Sequence, residues 1–182
     1  MKYLEPYRKA GRTIAVYHGL GGSPTQEKIN ALRKAGFKNI IFNHIDYDYE
    51  WKLDRCRSLF TREVGNARRA DVILGTSLGG YLAFLLAKLT GKDLIMINPS
   101  LDRNRTQLNI RHFDVNIIGN HFGKVEIFFG EKDELIPRNV QKGFLYDNRI
   151  KYTSWIVKGM EHRTSPREFE QIVQYSKIIN GD

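Results

Sequence analysis

From Thr13 onward the chain alternates short, nearly unbroken apolar runs with longer stretches of helical spacing. That alternation is the strongest limit on its fold. A strand apolar at almost every position has no face for water, so it belongs in a sheet covered on both sides, and parallel neighbours need a long crossover between them. The runs fall at residues 13–17, 39–43, 71–74, 93–97, 125–129 and 152–157. The expected fold class is therefore α/β: three layers, with about six parallel strands in the spatial order 2-1-3-4-5-6 and helices on both faces. The chain has 182 residues, 41% hydrophobic and 27% charged. It is read as a single domain spanning 1–182, which buries roughly 70% of its unfolded surface. Strands and helices use nearly all of that length, so no cap domain is expected.

Helix starts are marked in two places. Ser23-Pro24-Thr25-Gln26 and Ser165-Pro166-Arg167-Glu168 each offer a capping Ser, a Pro at the first helical position and a Gln or Glu three residues after the cap. After the second, Phe169, Ile172, Val173, Ser176 and Ile179 keep helical spacing, which predicts one closing helix against the sheet. Residues 78–89 are apolar nearly all round and end before Gly91, the pattern of an enclosed central helix. Residues 100–123 differ, being polar and rich in Arg and Asn, and they are the one place for a lid or irregular excursion.

Gly75-Thr76-Ser77-Leu78-Gly79 reads G-x-S-x-G between a strand and that apolar helix. A turn this tight holds Ser77 in a strained conformation, and only small residues on either side can pass so close. A hydroxyl is a poor nucleophile until a base takes its proton, so Ser77 calls for a histidine and for an acid to orient it. Both exist in the order Ser, acid, His. Asp133 follows the strand at 125–129, with Glu131 and Glu134 beside it and Asp102 as a more distant alternative, while His162 follows the last strand. Both positions lie at the carboxyl end of a parallel sheet, where crevice residues belong. The backbone N–H of Leu78 at the helix start, and that of Leu20 in the turn His18-Gly19-Leu20-Gly21-Gly22, are the expected oxyanion donors. The glycine turn lacks the Lys-Ser/Thr of a P-loop and the spacing of a dinucleotide site, so nucleotide binding is not expected.

Other chemistry is thinly represented. His44, His112 and His121 have no spacing suited to ligands on one helix face, and surface or capping roles are expected instead of a metal site. The single cysteine, Cys56, excludes an internal disulfide. It lies between Arg55 and Arg57, which lowers a thiol pKa, but no partnered base is visible and the thiol is read as inert. Lys and Arg total 29 against 20 Asp and Glu, a net charge of +9, with a dense stretch at Arg55, Arg57, Arg62, Arg68 and Arg69. The charge is read as a solvated surface, with only weak, nonspecific binding of nucleic acid. No signal-peptide core and no apolar run of membrane-spanning length is present, so a cytoplasmic location and no membrane partner are expected.

His18-Gly19 with Ser23-Pro24, Gly75 to Tyr81, Ile97-Asn98-Pro99, the loop at Gly130 to Asp133 and Gly159 to His162 together resemble the small, capless α/β-hydrolase serine esterases of the YqiA type. The resemblance implies the α/β-hydrolase fold and a triad of Ser77, Asp133 and His162. The residues alone suggest a serine hydrolase working through an acyl-enzyme, with no cofactor and no metal, and the resemblance implies a small acyl ester or thioester as its substrate. The same three side chains would equally serve a peptidase, amidase or acyltransferase, and a hydrolase fold reused as a binding module for an anionic partner is the alternative from another class. In the polar segment, Arg103 and Arg105 are candidate substrate-binding residues, since a guanidinium offers a bidentate fork to a carboxylate or phosphate.

Overall fold

The computed structural model describes residues 11–50, 56–101 and 122–181. Its centre is one six-stranded, all-parallel sheet of order β2-β1-β3-β4-β5-β6, built from β1 (Thr13–Tyr17), β2 (Asn39–Phe42), β3 (Val72–Thr76), β4 (Asp93–Ile97), β5 (Val125–Gly130) and β6 (Thr153–Val157). The strand order is the expected one. Alternate side chains of each strand enter two separate cores. Ala15, Tyr17, Ile73, Leu94, Met96, Ile127 and Phe129 share one core with α3 (Cys56–Arg69), α4 (Leu78–Thr90) and α5 (Arg138–Asp147). Ile14, Val16, Val72, Leu74, Ile95, Ile97 and Phe128 share the other with α1 (Gln26–Lys34), α6 (Pro166–Tyr175) and α7 (Lys177–Asn180). A period of two thus fills both faces, which is why these strands read as continuous apolar runs.

The chain leaves β1 for α1 on one face and leaves β3 for α4 on the other, while β1 and β3 pair directly, Ile14 with Val72 through Tyr17 with Gly75. The gap above their carboxyl ends is a topological switch point, where open α/β sheets form their crevice. The enclosed helix α4 is buried from Gly79 to Lys88 and closes on Gly91 in the left-handed conformation, where glycine carries no Cβ penalty.

Three local readings change. β3 runs on through Gly75 and Thr76, because both still pair with β4, Gly75 with Met96 and Thr76 with Ile97. The first helix is capped by Thr25 and begins at Gln26, since Ser23 and Pro24 belong to the chain leaving the turn after β1 and the first helical bond runs from Ile29 N to Thr25 O at 3.1 Å. The Ser165 cap forms as expected, a full capping box with Glu168. The closing helix, however, breaks at Ser176 into α6 and α7. The cause is distant in sequence: Ser176 Oγ donates to the buried carboxylate of Glu126 on β5 at 2.6 Å and accepts from Ile179 N at 3.2 Å, capping α7. Among the described residues no helix is long and apolar enough to cross a membrane. Most of the polar 100–123 segment, with Asp102, Arg103, Arg105, His112 and His121, lies outside the described residues.

Candidate active site

The turn between β3 and α4 is set by close approach. A Cβ on Gly75 would run into Gly79 O and lie 2.6 Å from Ala83 Cβ, and one on Gly79 would run into the carbonyl oxygens of Tyr17 and His18. Glycine at both positions lets α4 start directly against β1 and β3. Between them Ser77 has φ 50° and ψ −122°, a conformation rare for any residue with a Cβ. It is held by bonds from both sides: Ser77 N donates to Ile97 O at 3.1 Å, and Ser77 O accepts from Gly80 N and Ser100 N, each at 2.9 Å.

His162, from the loop after β6, lies with Nε2 2.9 Å from Ser77 Oγ, and its Nδ1 is 3.0 Å from both carboxylate oxygens of Asp133. The acid on Nδ1 makes that nitrogen the donor, which leaves Nε2 to accept from the serine hydroxyl. Asp133 is fixed in turn, its Oδ1 accepting from Leu135 N at 3.1 Å and Ile136 N at 3.2 Å. Its side chain is 4% exposed and that of His162 15%, so the pair is shielded from water while remaining reachable. The neighbouring acids go elsewhere: Glu131 accepts from Gly159 N at 2.9 Å and Glu134 is exposed. The structure therefore brings Ser77, His162 and Asp133 together.

Leu78 opens α4 directly after Ser77. Leu20 sits, 57% exposed, in the turn closed by Gly22 N to Gly19 O at 3.0 Å. That turn abuts the serine, because a Cβ on Gly19 would lie 2.9 Å from Ser77 Cβ.

Two further residues organise the site. Asn98, just past β4 and at φ 43°, accepts Gly130 N on Oδ1 at 2.6 Å and donates from Nδ2 to Glu161 O at 2.9 Å and His162 O at 3.2 Å. One amide thus holds the loops that carry the acid and the base. His18 places Nδ1 2.7 Å from Gly19 O and receives Ile45 N on Nε2 at 2.9 Å, which assigns a neutral ring with the proton on Nδ1. Tyr47 donates to His18 O at 2.7 Å, its ring edge-on to the imidazole, and the ring of His44 stacks at 5.2 Å. Burial lowers the His18 pKa from its ordinary value, opposed by the Gly19 bond and helped by His44. Burial and the Glu63 carboxylate push up the phenols of Tyr17 and Tyr47, keeping both protonated. The signal for Asn98 was its place at a strand's carboxyl end, where crevice residues collect.

Among the described residues no three His, Cys, Asp or Glu side chains stand close enough to hold a metal. A cavity of about 520 Å³ opens at the opposite end of the sheet, bordered by Arg12, Phe37, Asp71, Asp93 and Lys124. Its polar groups are committed to the backbone: Asp71 to Thr13 N and Asp93 to Lys124 N, both at 2.7 Å, and Arg12 to the carbonyls of Ile178 and Ile179. It lies far from the serine and serves the fold.

No protein-family model and no curated protein sequence matches the chain. Solved structures do. A Xanthomonas campestris pv. campestris protein assigned provisionally to the hydrolases of the alpha/beta superfamily matches with a TM-score of 0.62 at 20% identity, over 91% of this chain and 98% of its own. Est1E from Butyrivibrio proteoclasticus matches at 0.65 and 14% identity, over 91% and 86%. MGS-MChE2, an alpha/beta hydrolase enzyme from a sediment metagenome of the Mar Chica lagoon in Morocco, matches at 0.63 and 16%, over 90% and 88%. At these identities the likeness is one of fold, and the fold is that of the α/β hydrolases.

Proposed function

We propose that the protein is a serine hydrolase that cleaves a small carboxylic ester or thioester. In this reading Ser77 Oγ attacks the acyl carbon while His162 Nε2 takes its proton, and the Asp133 carboxylate stabilises the imidazolium that results. The backbone N–H groups of Leu20 and Leu78 receive the oxyanion, the latter with the positive end of α4 behind it. His162 then protonates the leaving alcohol or thiol, and water, activated by the same imidazole, releases the acyl group from Ser77. The observation that carries the proposal is the unbroken hydrogen-bond chain from Ser77 through His162 to Asp133, anchored on a serine in a strained turn. Structural neighbours described as hydrolases lend support at the level of fold.

A fluorophosphonate probe tests it. The parent chain should be labelled at Ser77 and should turn over short acyl esters; Ser77→Ala should lose labelling and fall by about 10⁴-fold or more in kcat. Asp133→Ala, His162→Ala and the double variant should show strongly non-additive losses, because the three groups act as a unit. Parent-level turnover by Ser77→Ala, or fully additive losses, would overturn the assignment.

A further inference from the structure

The three reacting side chains stand on two separately held pieces of chain. Ser77 belongs to the first: its N donates to Ile97 O at 3.1 Å and its O accepts from Ser100 N at 2.9 Å, so the end of β4 and the turn after it grip the nucleophile's backbone from both sides. Asp133 and His162 belong to the second. Their loops, after β5 and β6, are clipped to each other by Lys132 N to Met160 O at 2.9 Å, Glu131 N to Val157 O at 3.1 Å and Gly159 N to Glu131 Oε2 at 2.9 Å. They also meet at Gly130, where a Cβ would lie 2.5 Å from Met160 O. The acid and the base are thus held as one unit, and proton transfer needs that unit at a fixed reach from Ser77.

Asn98 joins the two pieces. Its backbone lies between Ile97 and Ser100 in the gripping turn, and its side chain crosses to the other unit, Oδ1 accepting Gly130 N at 2.6 Å while Nδ2 donates to Glu161 O at 2.9 Å and His162 O at 3.2 Å. The partners fix which way the amide points, since Gly130 N only donates and the two carbonyls only accept. One acceptor and two donors are needed on a short stem, and Asn is the side chain that supplies them. The residue is 1% exposed, so a bond lost here leaves a buried group unpaired. Its φ of 43° lies in the left-handed region, which Asn enters more readily than most residues with a Cβ. An uncommon backbone conformation therefore aims the amide at the seam between the two loops.

We propose that Asn98 is a positioning residue for the reaction: by tying the acid–base unit to the turn that grips Ser77, its amide sets the reach of His162 Nε2 to Ser77 Oγ, and so governs the rate of acylation and not the binding of substrate. This rests on the serine-hydrolase reading above. Because His162 is held to Asp133 within one unit, loss of the amide leaves that pair together and displaces it from the serine. A displacement of about 1 Å can cost on the order of 100-fold in rate.

The test uses the full-length chain with two substitutions. Asn98→Gly removes the amide and adopts a positive φ without strain, while Asn98→Asp keeps the shape but has no donor once ionised. Turnover of p-nitrophenyl acetate and the rate of Ser77 labelling by the fluorophosphonate are measured per folded molecule, with the folded fraction read by circular dichroism. Glu126→Ala, which weakens the fold near the opposite end of β5, is the control. Asn98→Gly should lose about 10- to 100-fold in kcat with KM within about twofold of the parent, and labelling should slow by a similar factor. For Asn98→Asp the ratio of its kcat to the parent's should fall from pH 6 to pH 9, because burial favours the protonated carboxyl at the lower pH and only that form has a proton to donate. Glu126→Ala should keep the parent's kcat. Parent-level kcat in Asn98→Gly, or in Asn98→Asp at pH 9, overturns the positioning role and leaves the hydrolase reading intact. So does a loss carried by KM, an equal loss in Glu126→Ala, or failure of both Asn98 variants to fold, which would make Asn98 a residue of the fold alone. No labelling at Ser77 and no turnover by the parent overturns both.

Discussion

Both ring nitrogens of His18 are committed, and each commitment has a protonation requirement. Nδ1–H donates to Gly19 O, which also receives Gly22 N, so the ring fixes the turn beside Ser77; Nε2 must stay unprotonated to accept Ile45 N. Burial, reinforced by His44, lowers the folded pKa below the unfolded value. The sign follows. As pH falls through the ordinary histidine range the unfolded chain takes up a proton that the native ring refuses, so stability is lost from about pH 6.5 downward until the folded ring itself titrates. His18→Leu should remove this part of the pH dependence while costing about 1–3 kcal/mol at pH 7.5 through the unsatisfied Ile45 N–H. Urea midpoints at pH 7.5 and 5.0 check it: the parent should lose more stability than the variant across that interval, and equal losses would mean that His18 does not titrate as its contacts require. Ser77, Asp133 and His162 could be picked out from sequence because each sits at a strand end with a marked motif or chain order. Asn98 and His18 organise the same site through single amide and ring contacts to partners 27 to 64 positions away, and no spacing rule encodes such contacts.

At the scale of elements, α6, α7 and the edge strand β6 all hang on Glu126. Fully buried on β5, it accepts Trp155 Nε1 at 2.7 Å from β6, Ser176 Oγ at 2.6 Å from the break between the helices, and Lys177 N at 3.1 Å and Ile178 N at 3.4 Å from α7. A buried carboxylate is tolerated only with such a set of donors. Glu126→Ala leaves the donors without an acceptor and opens a cavity, and it should lower the free energy of unfolding by about 3 kcal/mol or more. Chemical denaturation followed by tryptophan fluorescence in a Trp51→Phe background, which leaves Trp155 as the single indole, reads both the stability and the freed indole. A variant as stable as the parent would show that the three elements are held by apolar packing alone. This node also explains what sequence could and could not give. Apolar runs placed all six strands within a residue or two, because burial on two faces leaves a local trace. The break at Ser176 left none: Phe169, Ile172, Val173 and Ile179 keep helical spacing across it, and the reason for the interruption sits fifty positions earlier. The shift of the first cap from Ser23 to Thr25 is of the same kind, since both residues can cap and the path of the chain out of the β1 turn decides between them.

Over the whole molecule the question is what a net charge of +9 is for. Exposed cations occur on α1 (Arg33, Lys34), α6 (Arg167) and α7 (Lys177), covering one face of the sheet, and on α3 (Arg57, Arg68, Arg69) and α5 (Arg138, Lys142), covering the other. A nucleic-acid interface gathers its cations on one surface, so that several phosphates are neutralised together and base edges can be read. Among the described residues the charge is divided between opposite faces, and a duplex can engage only one at a time. Attraction without registry follows: binding to DNA should be weak, with Kd about 10⁻⁶ M or weaker near physiological salt, falling log-linearly with salt and equal for unrelated sequences. Fluorescence anisotropy with two 20-base-pair duplexes of different sequence, titrated between 50 and 200 mM salt, makes the measurement. The expected result is a steep, sequence-independent loss of affinity over that range. Sub-micromolar binding to one duplex and not the other, retained at the higher salt, would mean that one face does assemble a specific surface, and would move a nucleic-acid partner to first place among explanations of the charge.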